Sequence, residues 1–419
     1  MLSPVSAPAC LLRATDAASL KPTFEQKLSS AWDRPVAISD FFVPRVVARE
    51  GCRLLVQYRF SALGRSWTFW GQVGFDTDRC SGDSFRVPEL QLVVPIFPFD
   101  TDLPALARFF SSSESACLLA GLREPLELTA AARLGEVQVL GYRLGRRAVL
   151  RCGLADVGPE RAVVAKLIAP RKAARLARLM RELARRGFEG VGGDAIRVPR
   201  VLAESKDGIL WLEEHEGPSL HDLVGAPAFV AACRGAARAL RRLHALDRLD
   251  LPEWSVETEL LRLREIVNAT SELLPELATR LCEATRLAFA STPGAASSAA
   301  TLHRDFYDKQ LLTGADGMTL LDVDTLTVGD PALDVGNFLA HLVLRSHQDP
   351  GSAAVVTEAR GAFLAGYGEV SEARCRFWEA ASLLRLSCIY ALRPRWRALA
   401  VPLLEESGKR LRFRGGSHA

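Results

Sequence analysis

Apolar positions recur along this chain with two different periods, and the period changes several times. Alternating apolar and polar residues, the pattern of a half-buried strand, run through Leu54-Leu55-Val56-Gln57-Tyr58 and Thr68-Phe69-Trp70-Gly71-Gln72-Val73. Strand-like stretches return at Ala148-Val149-Leu150-Arg151-Cys152 and over residues 161–168. Helical character follows over residues 171–186, a run of Arg, Ala and Leu in which Glu182 is the sole acid. Ile209-Leu210-Trp211-Leu212 reads as a buried strand, and the Gly217-Pro218 after it predicts a turn leading into a helix. Leu311-Leu312-Thr313 and Met318-Thr319-Leu320-Leu321, separated by a Gly-bounded turn, predict a hairpin. Residues 255–292 and 334–411 predict helices, residues 90–99 add a possible strand, and residues 103–122 look helical. This ordering implies three parts: a β-rich module over 1–130, a second strand-rich part over 131–212, and a mainly helical part over 213–419.

The first two parts can be laid over each other. A constant shift of 94 positions places Arg49 on Arg143, Gly51 on Gly145, Arg53 on Arg147 and Gly64 on Gly158 without a gap, and both copies read as turn, strand, loop, strand. In that register Gln72 takes the place of Lys166. The identities are few, so duplication and chance both stay open at this level. If the segments are copies, the first lacks the lysine and would extend or cap the sheet, without being a second active site.

Candidate chemistry concentrates at Leu302-His303-Arg304-Asp305-Phe306-Tyr307-Asp308-Lys309-Gln310 and Leu321-Asp322-Val323-Asp324. In phosphoryl transfer an acceptor hydroxyl must lie in line with the transferring group, which requires a hydrogen-bond acceptor such as Asp305 beside it. Magnesium takes hard oxygen ligands and keeps phosphate and water in its octahedron. A side-chain amide five residues after Asp305 and a carboxylate beyond the next hairpin suit that need, and Gln310 and Asp322 hold those places. Asp324 is open between a further metal or water ligand and a solvated acid. His303 and Arg304 read as braces of the loop, and Asp330 and Asp334 as turn and helix-capping groups.

His303-Arg304-Asp305 with Gln310, Leu321-Asp322-Val323-Asp324, and Gly329-Asp330-Pro331-Ala332-Leu333-Asp334 resemble the aminoglycoside phosphotransferase family, the small-molecule branch of the protein-kinase-like fold. The resemblance spans about residues 135–400 and is specific only in the catalytic block. It implies a bilobal α+β protein of protein-kinase-like fold, here with an additional N-terminal β-rich module. It implies ATP and Mg²⁺ as cofactors, Asp305 as the group that orients or deprotonates the acceptor, and Gln310 and Asp322 as metal ligands. Lys166, a lone cation in an apolar strand that would be costly to bury unpaired, takes the nucleotide phosphates, and Glu182 is placed as its ion-pair partner. Glu213 and His215 fall at the hinge, where backbone groups face the adenine edge and side chains matter less. The chain departs from the family at Gln310, where Asn is usual, although some sugar kinases of the family also resemble this chain in carrying Gln. The single glycine of the Arg143–Arg147 turn is a weak phosphate-binding signal.

Composition narrows the setting. With 48% hydrophobic and 24% charged residues in 419, the chain can bury several cores. Nine scattered cysteines form no CxxC pair, no zinc pattern and no disulfide framework. No basic region precedes the apolar N-terminal residues, and no apolar run approaches the roughly 18 residues a membrane span needs. A cytoplasmic protein without membrane association is expected. The net charge of +4 is spread mostly as Arg along helices, without the clustered face of a nucleic-acid binder. Between Ser371 and the end, ten bases face four acids, which disfavours a polycationic aminoglycoside and favours a sugar or another neutral or anionic metabolite as the hydroxyl acceptor. Two other classes remain: a nucleotide-binding regulatory protein without turnover, in the manner of a pseudokinase, and a protein kinase. The second is disfavoured by the missing Gly-rich loop and Ala-Pro-Glu signatures. Oligomeric state and ATP-versus-GTP preference have no sequence signal.

Overall fold

The computed structural model describes residues 7–49, 53–74, 83–111, 113–155, 161–190, 192, 195–247, 249–294, 296, 298–314 and 317–412. Gly51 and Gly158 of the repeat alignment, residues 315–316 of the hairpin turn, and Arg414 lie outside them. The chain folds as two compact units, one of residues 1–182, 199–214 and 393–395, the other of 183–198, 215–392 and 396–419.

The first unit opens with two helices that the apolar pattern does not announce, α1 (Ala7–Thr15) and α2 (Ala17–Ala31). Asp16 caps α2 by accepting the Ser19 amide, and Leu20, Phe24 and Leu28, one residue per turn, form its buried stripe. Phe24 packs edge-on against Tyr58 and Phe85 of the first sheet, and the Tyr58 hydroxyl donates to the Ala14 carbonyl, 2.9 Å away. That sheet comprises β1 (Ser39–Arg49), β2 (Arg53–Ala62), β3 (Arg65–Val73), β4 (Ser84–Val87) and β5 (Leu92–Pro95), in the order β1-β2-β3-β5-β4. Residues 103–122 form two short 3-10 turns and the one-turn α3 (Ser115–Leu118), not a continuous helix.

Next come β6 (Arg133–Arg143), β7 (Arg147–Ala155), β8 (Ala162–Ile168), α4 (Pro170–Arg185), β9 (Ile196–Arg197, in the second unit), β10 (Val201–Glu204) and β11 (Ile209–Glu213). The second sheet of this unit runs β6-β7-β8-β11-β10, the same order as the first. Register agrees as well. Arg49 pairs with Arg53 as Arg143 pairs with Arg147, Ser39 with Ser61 as Arg133 with Ala155, and Leu54 with Val73 as Ala148 with Leu167; every pair is 94 positions apart from its counterpart. Gln72 lies between Leu55 and Val93, and Lys166 between Val149 and Leu210. The sheets meet at Tyr142, whose carbonyl accepts from Trp70 Nε1 at 2.9 Å and whose hydroxyl donates to Asp100 at 3.0 Å.

The second unit is mainly helical: α5 (Phe229–His244), α6 (Val256–Leu273), α7 (Pro275–Ala290), α8 (Ala332–Gln348), α9 (Ala353–Tyr367), α10 (Glu372–Ala391) and α11 (Ala400–Arg412). Short strands carry the functional loops: β12 (Glu253–Trp254) and β13 (Ala300–Leu302) flank β16 (Thr327–Gly329), while β14 (Leu311–Gly314) and β15 (Gly317–Leu320) form the expected hairpin. Helix α8 crosses α10 so closely that a Cβ on Gly336 would sit 2.5 Å from the Glu379 nitrogen. Glu379 itself is buried between Arg360, held bidentately at 2.8 Å, and Arg410 at 2.6 Å, which ties α9, α10 and α11 together. The helix expected after Gly217-Pro218 does not form there. Ser219 makes a bridge with Leu312, and its amide and hydroxyl both donate to Asp222, so the segment turns until α5 begins. All seven described cysteines are free, and among the described residues no helix is long and apolar enough to cross a membrane.

Candidate active site

In the second unit the loop after β13 is fixed from beneath by Asp334. This fully buried carboxylate accepts the amides of His303 (2.6 Å) and Arg304 (2.7 Å), and His244 Nε2 lies 3.1 Å from it, with Tyr367 on the other ring nitrogen of His244 at 2.8 Å. Asp334 therefore does not cap α8, whose N-cap is Pro331, but holds the backbone just before Asp305. His303 reaches across the loop, its Nε2 donating to the Leu321 carbonyl at 2.8 Å, while Thr325 Oγ donates to the His303 carbonyl. Arg304 adopts a left-handed backbone with φ 68°, a cost a non-glycine residue bears only where its surroundings enforce it. Its guanidinium lies 3.3 Å from the Trp254 ring centroid, with Arg262 over the same ring at 4.4 Å.

These braces present Asp305, half-buried, beside Gln310. Gln310 Nε2 donates to Asp305 Oδ2 at 3.4 Å, and the Gln310 carbonyl accepts the Leu321 amide at 2.8 Å. Pairing of Leu311 with Leu320 returns the chain to Asp322, whose φ of 57° is another left-handed position that Asp tolerates better than most residues. Tyr307 sits in the field of the same acids: burial, then Asp305, Asp308 and Asp322, push its phenol well above the ordinary range. Asp305, Gln310 and Asp322 thus converge around one loop.

The donor chemistry suits magnesium. If Mg²⁺ binds at this loop, the Gln310 side-chain oxygen, whose amide nitrogen is engaged by Asp305, and the Asp322 carboxylate are the hard oxygens that could hold it. Among the described residues no group of three or more His, Cys, Asp or Glu is placed to hold a metal; with Gln310 and Asp322 as the protein ligands, phosphate and water would complete the octahedron Mg²⁺ prefers.

A residue that short-range pattern does not single out, Asp308, is buried behind the loop. Arg345 grips it with Nε at 2.6 Å and Nη2 at 2.9 Å, and His221 Nδ1 lies 3.0 Å away. Burial alone would raise this carboxyl, but the His221 hydrogen bond and the Arg345 charge outweigh it and hold it well below the usual carboxylate range. Nothing short-range marks Arg345 as its partner, 37 residues downstream.

In the first unit Lys166 is buried in β8 and Glu182 lies near the end of α4. Glu213 ends β11 and pairs with Arg200 at 3.3 Å, while Glu214 pairs with Arg151 at 2.5 Å; His215 follows as the first residue of the next segment of the second unit. The glycine turn carries a surprise. Gly145 donates its amide to Asp100 Oδ2 at 2.8 Å, so the one amide freed by the glycine is already held by a carboxylate from the preceding module.

Residues 153–378 match the sequence model of the phosphotransferase enzyme family, abbreviated APH, and the chain belongs to that family. It is a small-molecule phosphotransferase, a kinase with a hydroxyl acceptor, of protein-kinase-like fold. Among solved structures it is similar to a choline/ethanolamine kinase family protein from Mesorhizobium loti, with 16% identity over 71% of this chain and 95% of that one and a TM-score of 0.44. An aminoglycoside-3'-phosphotransferase of type VIII gives 20% identity over 69% and 99%, TM-score 0.42. Choline kinase from Cryptosporidium parvum Iowa II gives 12% over 70% and 92%, TM-score 0.46. No curated protein gives a significant match.

Proposed function

We propose that the protein transfers the γ-phosphoryl group of ATP to a hydroxyl of a small molecule, a sugar or another neutral or anionic metabolite more than a polycationic aminoglycoside. The contact that supports this best is Gln310 Nε2 on Asp305, because one amide can then serve both tasks: the nitrogen steadies the Asp305 carboxylate and leaves the oxygen for a metal. Asp305 accepts the hydrogen bond of the acceptor hydroxyl and takes its proton as the bond to phosphorus forms. Gln310 and Asp322 would hold Mg²⁺, which supplies charge neutralisation on the phosphates. Lys166 binds the phosphates, Glu182 positions Lys166, and the backbone around Glu213 and His215 receives the adenine edge. In this reading residues 1–130 are a β-rich module, a degenerate copy of the strands of the 131–212 lobe, and residues 213–419 form the helical lobe. The shared strand order and the register shift of 94 support descent of the first sheet from the second.

The acceptor class rests on charge balance. Arg374 is committed to Asp330 at 2.7 Å, Arg376 to Glu372, and Arg410 to Glu379, yet the chain from Ser371 onward carries more bases than acids, a balance that disfavours a polycation. An ADP-release screen across sugars, amino alcohols, aminoglycosides and nucleosides tests it; ATP binding without ADP release on any acceptor would transfer support to a regulatory role.

Two variants probe the metal amide. Gln310→Leu keeps volume and removes the donor, so it should lose most activity and demand far more Mg²⁺, whereas Gln310→Asn should be impaired less and partly rescued by Mn²⁺. Equal activity and equal metal dependence in wild type and the Leu variant would remove Gln310 from the metal site. For the paired sheets, calorimetric titration should find one ATP site per chain, lost or much weakened in Lys166→Ala and unchanged in Gln72→Ala. Two sites of similar affinity would contradict the loss of function at Gln72.

A further inference from the structure

Three arginines of the second unit are tied to the residues on either side of Asp305. Arg304, the residue before it, sets its guanidinium 3.3 Å from the Trp254 ring centroid, and Arg262 of α6 lies over the same ring at 4.4 Å. Phe306, the residue after it, leads to the third. Its carbonyl accepts from Asn337 Nδ2 at 2.9 Å, and Arg385 Nη2 of α10 donates to Asn337 Oδ1 at 2.6 Å. The indole beneath two of these charges is itself fixed. Trp254 Nε1 donates to Glu259 at 3.0 Å, and β12 runs so close to β16 that a Cβ on Gly329 would sit 2.6 Å from the Trp254 carbonyl oxygen.

The positive charge here exceeds what the neighbouring carboxylates answer. Glu259 accepts the indole N–H, and the two oxygens of Asp334 accept the His303 and Arg304 amides. Burial, the largest influence on Arg304, lowers its pKa; Glu259 and Asp334 raise it, Arg262 and Arg385 lower it, and the balance stays below the ordinary value. Arg304 Nε is buried without a hydrogen-bond partner among the described residues. A guanidinium does not give up its proton in a protein at neutral pH, so a nearby anion, not deprotonation, is what would relieve this repulsion. A guanidinium that stacks its face on an indole keeps the N–H groups of its edge for an oxyanion.

We propose that Arg262, Arg304 and Arg385 receive an oxyanion carried by the acceptor, a carboxylate or a phosphate, and so seat its hydroxyl at Asp305. Planar guanidinium forks match the oxygens of either group two at a time, and an anchored anion at one end of the acceptor orients the hydroxyl at the other. The inference rests on Asp305 acting in phosphoryl transfer, and it narrows the acceptor to hydroxy acids, sugar acids and sugar phosphates.

Matched acceptors with and without the anion test it: glucose against glucuronate, and glycerol against glycerate and glycerol phosphate. Binding is measured by calorimetry on the full chain with ADP and Mg²⁺ present, and turnover by ADP release from ATP. Wild type should bind an anionic member at least about tenfold more tightly than its neutral parent and use it with the lower KM, given the strength of charge-assisted hydrogen bonds. Whether glycerate or glycerol phosphate is preferred identifies the anion. Arg262→Gln/Arg385→Gln should reduce the preference at least about tenfold, with the loss in KM. Arg262→Glu should reduce it further than Arg262→Gln, an order that packing on Trp254 alone does not predict. Should loss of the Arg385 bond to Asn337 disturb the fold, Arg262→Gln alone, on an exposed side chain, must show the weakening. No anionic preference in wild type, or a preference unchanged in a folded variant, would overturn the proposal and leave transfer by Asp305 intact. Arginine-dependent anion binding without ADP release on any acceptor would instead remove the transfer and keep the anion site.

Discussion

Asp305→Asn should lower turnover by about 10²-fold or more while leaving nucleotide affinity near that of wild type, the scale expected when a positioned proton acceptor is lost. Asn retains the size of Asp and an oxygen that can accept from Gln310 Nε2, so the loop that Asp334, His303 and Thr325 hold in place has no reason to move. What disappears is the negative charge and the ability to take a proton. Steady-state kinetics with an acceptor from the screen, together with nucleotide titration, separates the two effects. A change in turnover under about threefold would be too small for general-base loss and would take Asp305 out of that role.

Asp308→Ala should cost stability on a comparable scale, about 3–5 kcal/mol, because it strands the Arg345 guanidinium in the core without its bidentate partner. Denaturant unfolding measures this, and a loss below about 1 kcal/mol would mean water or a neighbour replaces Asp308. Replacing both partners, as Asp308→Leu with Arg345→Met, should be milder than losing either alone, since no buried charge is left unpaired. The pH dependence has a definite sign. A carboxyl whose folded pKa is depressed contributes its stability above the unfolded value, near pH 4, and loses it as the pH falls toward the folded value. Wild type should therefore weaken below about pH 4 with a steeper slope than the Asp308→Ala variant.

What could be read from the chain was local. The β14–β15 hairpin, the strands on either side of Lys166 and the helices after Ser255 follow from period-two or helical spacing punctuated by glycine and proline. Sequence pattern failed where a distant partner decides. Helix α2 buries a stripe one residue wide, too thin to stand out against Ala, Ser and Lys, and becomes visible only once Phe24 meets the rings of the first sheet. Gly217-Pro218 signals a turn correctly, but pairing of Ser219 with Leu312, far along the chain, overrides the helix expected next. The block from His303 to Asp322 stood out because its spacing is itself chemical, and the fold brings Gln310 into hydrogen-bond contact with Asp305. Asp334 shows the limit: its place before an apolar run suggests a cap, and only the folded chain reveals that it holds the His303 and Arg304 amides.

The carboxylate of Asp100 on Gly145 also bears on how small a working fragment of this chain can be. The region that matches the family begins at residue 153, within β7, whose partner β6 and whose glycine turn lie upstream. A fragment started there would halve a hairpin and expose the apolar side of a sheet. One started at residue 131 would keep the hairpin but lose Asp100 and Trp70, leaving the Tyr142 hydroxyl, its carbonyl and the Gly145 amide to find water in their place. Homology boundaries and folding boundaries differ in this protein, and a truncation guided by the first would cut through the cooperative unit that the second defines.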